Sequence, residues 1–490
     1  MSKRKRNRPN IFSIIIWIGA FISLSLLSYQ IYKANILPMK YFMILVGVIV
    51  FMILLFFIFV KNRRVKTWVL VFLNIIFIIM ISGCLFASYK INDLMNFLND
   101  NLGAKYETNI YYILVNKDSI YKNTSDINGK LVKLVDDIGD KETLENSIKK
   151  VVKVNFGYVD NISTLLKELE TDKELIIVVN SGNYDAMIEN DQLLQNKVLY
   201  SDKVRILETI EIKSKLVNSN IDFDIIEKPF VVYLSGIDTR SGKLPSRSLS
   251  DVNMIIAVNP KTHNILLLNT PRDYFVELHG ITGSKDKLTH AGIIGGYTLS
   301  MQTLEDLYGI DIHYFVRVNF NAVTRLVNAI GGITVDSDVN YSFRCVANPT
   351  CVIKPGSNTL NGDCALAFAR ERKAYITGDR HRGENQQQVI SKVIEKVTSS
   401  TTLLKKSSEI LNALTGTFET NVTTDEITSL VKEQLNNMQG WNISTYSVTG
   451  SDLYSTTYSY PNNELYVMLP DENTVNEAKV KLNNILENNQ

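Results

Sequence analysis

Three uninterrupted apolar runs open the chain: Ile11–Ile31, Tyr41–Val60 and Thr67–Ala87. None contains a charged residue. Each has about 20 residues, enough to cross roughly 30 Å of hydrocarbon as a helix. A secretory signal is the rival reading of the first run, because Lys3–Arg8 (KRKRNR) resembles a basic n-region. Its apolar stretch is too long for a signal, and two more runs follow. Three transmembrane helices over 11–87 are therefore expected. Gln30, Asn74 and Cys84 within them read as packing or interface residues.

Beyond residue 88 the pattern shortens and becomes polar. Leu131–Asp137 and Lys141–Val152 carry apolar residues at helical spacing. Leu175–Val179 (LIIVV) reads as a short buried strand, and the Ser181-Gly182-Asn183 that follows as a turn. The expectation is a small α/β accessory or spacer domain over 105–220. From Lys228 the texture changes again. Phe230–Asp238 is a strand ending in a Gly turn and an Asp. Val252–Pro260 and Ile265–Asp273 read as a hairpin joined by Lys261–Asn264. Thr289–Tyr308 has helical patterning, Ile312–Phe320 is strand-like, Asn321–Gly332 is a helix with a Gly stop, and Ile333–Asp338 is another strand. Strands alternating with helices argue for an α/β fold with a central sheet covered by helices.

Charge divides the chain in the same way. Residues 1–87 hold 11 Lys/Arg and no Asp or Glu, whereas the remainder carries 41 basic and 50 acidic residues, a net of −9. That asymmetry excludes one homogeneous soluble enzyme. Nucleic acid is not an expected partner, because the folded part lacks a basic excess to neutralise phosphates. Lys3–Arg8 holds five basic residues, Lys61–Lys66 four and Lys33–Lys40 two. The positive-inside rule then makes residues 1–10 a cytoplasmic tail and leaves everything after about residue 88 outside the cell. The five His and four Cys show no zinc-site spacing. A Tyr- and Asn-rich, Pro-poor composition suggests a Gram-positive-type bacterium.

Six segments follow one another within about 150 residues: SGIDTR (Ser235–Arg240), SDVNMI (Ser250–Ile255), NTPRD (Asn269–Asp273), KDKLTHA (Lys285–Ala291), FARER (Phe368–Arg372) and GDRHRGENQQ (Gly378–Gln387). In these the sequence resembles the LytR-CpsA-Psr family of bacterial envelope phosphotransferases. Three N-terminal spans and an accessory domain look like its capsule-type branch. The resemblance implies an α-β-α catalytic domain over 228–490. It also implies a polyprenyl-pyrophosphate-linked glycan (capsule, teichoic acid or similar) as donor and a peptidoglycan hydroxyl as acceptor, with polyprenyl phosphate released. Mg²⁺ or Mn²⁺ would be held by Asp238 and Asp251. Other wall or capsule assembly proteins are candidate partners. A groove for the lipid tail is a family feature, and Ile265–Leu268 could line one. Two departures stand out. Leu249 occupies a position where the family commonly has Arg, leaving Arg247, two residues back, as the candidate substitute. Cys364 stands where the family often has Gln, and reads as a buried helix residue.

The same residues make chemical sense on their own. Guanidinium matches phosphate in a bidentate way that ammonium does not. Arg272, Arg370, Arg372, Arg380 and Arg382 within a net-acidic region are therefore better explained by a local anionic ligand than by bulk charge. In an extended segment Arg370 and Arg372 would point the same way. Arg382 and Gln386, four apart, would share a helix face. Asp238 and Asp251 at strand ends suit a hard cation that also binds substrate oxygens. One of these, or Asp273, would orient the acceptor hydroxyl or take its proton, unless Asp273 simply holds Arg272. Arg272, Arg372 and Arg382, with Asp238 and Asp251, form the expected catalytic set. Arg247, Lys287, Arg370, Arg380 and Gln386 form the expected substrate-binding set. His290 reads as a capping or packing residue. Cys345 and Cys351 bracket a short loop that a disulfide would close. A polyprenyl-pyrophosphate hydrolase and a non-catalytic regulator or scaffold remain the alternatives.

Overall fold

The computed structural model describes residues 11–62, 65–103, 106–136, 141–190, 203–215, 223–238, 244–399, 406, 409–410, 412–462 and 464–487. The basic tail, Arg63, Arg64 and the Thr239–Arg240 end of the first motif lie outside them. Two compact units form, one of residues 1–102 with 422–439 and one of 103–421 with 440–490.

The first unit contains the three apolar helices, α1 (Ile11–Ala34), α2 (Met39–Lys61) and α3 (Thr67–Asn101), each long and apolar enough to cross a membrane. They meet along a seam of Ile16, Ala20, Leu24, Ile53, Phe56 and Phe77, with Phe56 and Phe77 stacked 4.1 Å apart. Asn74 donates to Ser13 Oγ (3.0 Å), a packing role for the polar residue inside the third run. Most other side chains of these helices are exposed, as lipid-facing positions would be. At 35 residues α3 is about 50 Å long, so its polar end from Lys90 onward outruns a bilayer core.

The second unit begins with a five-stranded sheet. In chain order its elements are β1 (Tyr106–Asn116), β2 (Leu131–Val135), α4 (Lys141–Val151), β3 (Asn155–Val159), α5 (Ile162–Thr171), β4 (Ile176–Asn180), α6 (Ser181–Asn190) and β5 (Val204–Lys215), with strand order β3-β2-β4-β1-β5. Alternate residues of β1 explain its continuous burial. Ile110, Tyr112 and Leu114 pack under α5 and α6, while Tyr111, Ile113 and Val115 pack under α4. Two expectations are corrected here. Leu131–Asp137 is not helical: residues 131–135 form β2, because Val132 and Leu134 enter the core two apart between β3 and β4. Ser181-Gly182-Asn183 is not a turn but the start of α6, where Asn180 Oδ1 accepts the Asn183 N–H (2.7 Å) and caps the helix.

The larger sheet follows. It comprises β6 (Phe230–Ile237), β7 (Val252–Asn259), β8 (Asn264–Thr270), β11 (Tyr314–Asn319), β16 (Phe418–Thr420) and β17 (Asn442–Ser447), in the order β16-β11-β6-β7-β8-β17. Between β8 and β11 lie β9 (Phe275–Glu277), β10 (Lys285–Lys287), α7 (Leu288–Ile294) and α8 (Gly296–Tyr308). After β11 come α9 (Phe320–Ala329), β12 (Ile333–Ser337), β13 (Phe343–Arg344), β14 (Val352–Ile353), β15 (Gly356–Leu360), α10 (Gly362–Ala369) and α11 (Asp379–Val397). The chain closes with α12 (Thr424–Asn437), which clusters with the apolar helices, then β18 (Gly450–Ser455), β19 (Leu465–Pro470) and α13 (Glu472–Glu487).

Val231, Tyr233, Ile255, Leu266, Leu268 and Phe315 share one face of this sheet and pack on Leu288, Leu304 and Leu482 of α7, α8 and α13. α11 covers the other face, where Gln387 Nε2 donates to Leu267 O (2.8 Å) and Tyr446 O (2.6 Å) and ties β8 to β17. The expected α-β-α arrangement is what forms. The strand expected at Ile333–Asp338 forms but lies outside the main sheet, paired among the described residues with β15.

Candidate active site

Sheet register brings the motif segments together. β7 runs antiparallel to both neighbours, with Gly236 opposite Val252 and Asn253 opposite Thr270. The end of β6, the start of β7 and the end of β8 therefore share one edge, and Asp238, Asp251 and Arg272 lie just beyond it. Asp251 is fixed there by its N–H bond to Gly236 O (2.8 Å). β17 is parallel to β8, so Ser447–Thr449 emerge at the same edge.

Two cavities open there. One, of about 480 Å³, is lined by Asp185, Asp238, Leu249, Phe320, Arg370, Arg372 and Lys373, among others. The second, of about 460 Å³, is lined by Thr377, Asp379, Arg380 and residues 445–449, among others. Asp251, Arg272, Arg382 and Gln386 line both. The site thus has two lobes meeting at a pair of largely buried guanidiniums, Arg272 at 9% and Arg382 at 6% exposure.

Each cation has an identifiable support. Arg272 bonds Asp251 through Nη1. Asp379 bridges the next two: its Oδ1 forms ion pairs with Arg372 Nε (3.2 Å) and Arg382 Nη2 (2.9 Å), and its Oδ2 accepts from Arg382 Nη2 (3.1 Å). Burial pulls the Arg382 guanidinium below its ordinary value; Asp379 opposes this, while Arg372 and Arg272 add repulsion. It stays charged, so an anion bound between the lobes would relieve the stress. Arg370 pairs with Asp238 (3.0 Å) and lies 4.7 Å over the Phe320 ring. Arg370 caps α10 and Arg372 follows in a turn, so the expected extended segment is absent. Both nevertheless reach one lobe, because Glu371 between them is buried and accepts three N–H groups from Arg372, Lys373 and Ala374, and a fourth from Val346. Arg380 faces the other lobe, bonding Gly450 O. Arg382 and Gln386 do share the inner face of α11.

Three expected residues sit elsewhere. Lys287 lies in neither lobe: it is buried and donates to Asp273 Oδ1 (2.8 Å), with Arg272 Nε 3.6 Å from the other oxygen. Burial pushes the Asp273 carboxyl up, yet Arg272 and Lys287 outweigh it and hold it below the usual range. Asp273 thus braces Arg272 rather than meeting an acceptor. Arg247 lines neither lobe, and its backbone O instead accepts from Ser181 Oγ on α6 (3.4 Å). His290 is buried against Asp286 (2.6 Å), whose other oxygen accepts from Ser459 N (2.8 Å).

The disulfide differs from expectation. Cys351 is joined to Cys364, and Cys345 is free. The first turn of α10 brings Cys364, half-buried rather than core, to Cys351, while the Cys345 thiol turns into a core with Val335, Ile353 and Phe368. Burial, with Glu371 nearby, pushes that thiol up to about 11.

Two supports carried weak sequence signals. Asp379 precedes Arg382 by three positions, one helical turn. Arg317 is a charge inside an apolar strand; it is 1% exposed and donates to Glu419 Oε2 (2.7 Å) and to Pro245 O, which anchors the loop leading to Asp251.

Among the described residues no three His, Cys, Asp or Glu side chains gather as a metal cage. Asp238 and Asp251 share a lobe, however, which fits a hard cation held mainly by substrate oxygens and water.

Fold and site together define an α/β protein with three membrane-length helices and an arginine-lined site at one sheet edge. The chain belongs to the LytR_cpsA_psr family, whose model matches residues 195–482. Biofilm regulatory protein A of Streptococcus mutans is 33% identical over 206 residues, covering 40% of this chain and 50% of that protein. The polyisoprenyl-teichoic acid–peptidoglycan teichoic acid transferase TagV of Bacillus subtilis is 32% identical over 274 residues, 55% of this chain and 67% of its own. TagU of Enterococcus faecalis, named for the same activity, is 33% identical over 220 residues, 45% and 69% respectively. The chain thus spans from half to about two thirds of the length of these relatives. The crystal structure of B. subtilis TagV superposes with a TM-score of 0.45 at 31% identity, covering 53% of this chain and 98% of that one.

Proposed function

We propose that this protein, facing outward from the cell membrane, transfers a glycopolymer from a polyprenyl pyrophosphate carrier to a peptidoglycan hydroxyl. The observation that carries this is the buried Arg272–Arg382 pair, joined by Arg372, at the junction of two lobes. An in-line displacement at phosphorus needs an entering and a leaving oxygen on opposite sides, and two lobes meeting at fixed cations provide both. The acceptor oxygen attacks the phosphorus bonded to the sugar chain. A new P–O bond forms, the bridging P–O bond of the pyrophosphate breaks, and polyprenyl phosphate departs. Asp238 or Asp251, both lining the first lobe, would orient the acceptor hydroxyl or take its proton where it does not bind a metal.

Arg272, Arg372 and Arg382 would stabilise the charge that builds on the departing phosphate. Each charge pair at 4 Å is worth about 4 kcal/mol at an effective dielectric of 20, before desolvation. Asp238 and Asp251 would hold Mg²⁺ or Mn²⁺, which when bound neutralises pyrophosphate oxygens. Teichoic acid, the polymer in the names of TagV and TagU, is the favoured cargo class. Sharing the membrane with the lipid carrier makes the substrate search local.

The test uses the full-length protein in detergent with a short polyprenyl-pyrophosphate-linked saccharide, peptidoglycan oligomers and Mg²⁺. Mass spectrometry should find the saccharide joined through a phosphodiester, and Arg372→Ala should abolish that product. Polyprenyl phosphate released without a joined product would replace the transferase with a hydrolase.

A further inference from the structure

The first lobe is not built by the family-type sheet alone. Asp185, on α6 of the N-terminal sheet domain, lines it beside Asp238, Arg370 and Arg372. α6 is held there tightly. Leu249, at the position where an arginine was expected, is 9% exposed and packs with Ala186 of α6 and Ile293 of α7. A Cβ on Gly182 would lie 3.2 Å from Arg247 O, Ser248 Cα and Ile293 Cγ1, so α6 approaches the 246–250 loop more closely than most side chains would permit without a small shift. That loop is pinned from the other side, where the Ser248 N–H donates to Gly292 O (3.0 Å). One residue therefore does two things: Leu249 removes a cation from the lobe and supplies the apolar seat that brings in a carboxylate.

We infer that Asp185 is a specificity-determining residue that accepts hydrogen bonds from hydroxyls of the donor saccharide next to the pyrophosphate. The inference rests on the transferase reading above. A carboxylate in this wall would repel a further phosphate but accepts well from sugar hydroxyls. The charged walls of this lobe suit a sugar and disfavour a polyprenyl chain. The saccharide, covalently linked to the pyrophosphate at Arg272 and Arg382, is then the part of the donor that meets α6. The N-terminal sheet domain becomes a reader of the cargo rather than a spacer.

The test compares binding of two ligands to the full-length protein in detergent: polyprenyl pyrophosphate alone, and the same lipid carrying a neutral disaccharide. Asp185→Ala should weaken the disaccharide ligand about tenfold and leave the bare lipid unchanged, with Asp185→Asn, which keeps an acceptor oxygen, falling between. Equal effects on both ligands, or none on either, would overturn the assignment. Arg382→Ala separates the two readings. It should weaken both ligands, and if bare-lipid binding survives it, the pyrophosphate site itself is misplaced whatever Asp185 does.

Discussion

Arg382 carries two Nη2 contacts to Asp379 and faces both lobes, so its planar fork and its charge are separable by substitution. Arg382→Lys keeps the charge and loses the fork. Losing one charge-assisted hydrogen bond costs about 1.5–3 kcal/mol, so kcat/KM for transfer should fall by about 10- to 150-fold. An unchanged kcat/KM would mean that only net charge matters. Asp273 makes a different prediction, about pH. Its folded pKa is depressed, so its stabilising contribution is present above the ordinary carboxylate pKa and is lost as pH falls through the lower folded value. The difference in thermal unfolding between the natural protein and Asp273→Asn should therefore be largest above about pH 4 and shrink below it. The motif arginines and strand-end aspartates were readable because their residue types name their chemistry. Lys287 and Arg247 were misassigned because sequence spacing does not say where a long side chain aims. Asp273 takes up Lys287, and the loop under α6 carries Arg247 away from the lobes.

Elements place these residues, and close approaches fix the elements. On α11, a Cβ at Gly383 would meet Asn269 Nδ2 of β8 at 2.2 Å. Gly383→Ala should displace the Asn269 amide, which lines the second lobe beside Arg272 and Arg382, and reduce transfer beyond its effect on the melting temperature. Gly362 has even less room, with Thr324 O of α9 only 2.0 Å from where a methyl group would sit. Backbone cannot swing aside as a side chain can, so Gly362→Ala should cost about 3 kcal/mol, read from the shift in unfolding midpoint. β6, β7, β8 and β11 of the larger sheet were legible because each apolar run is long and bounded by turns, whereas the short, more polar β16 and β17 were not read as strands. β2 was not legible either, since five residues with four apolar positions (LVKLV) fit either period until a neighbouring strand selects one. The cysteines show the same limit. Cys345 and Cys351 are near in sequence, but α10 folds back and presents Cys364. Non-reducing peptide mapping should recover Cys351 linked to Cys364. Cys364→Ser should lower stability by about 2–4 kcal/mol, while Cys345→Ser should leave the bridge intact.

For the molecule as a whole, two independent observations bear on which side of the membrane each part occupies. By the positive-inside rule the charge pattern predicts the Lys61–Lys66 connection inside and the Lys33–Lys40 connection outside. With three spans, the end of α3 lies on the same side as the α1–α2 connection. Packing within the first unit agrees. Lys432 Nζ of α12 donates to Asn35 Oδ1 (2.8 Å), and Lys40 Nζ donates to Asn436 O (3.0 Å), so α12 rests on the α1–α2 connection. α12 falls within the family-matched stretch, so the prediction is that this stretch faces outward. Single cysteines at Met39, Asn62 and Asn437, all exposed positions, test this against a low background, since native Cys84 and Cys345 are buried. In intact cells a membrane-impermeant maleimide should label Met39→Cys and Asn437→Cys, and Asn62→Cys only after permeabilisation. The reverse pattern would place the arginine site in the cytoplasm, away from peptidoglycan, and would remove the acceptor on which the transferase reading depends.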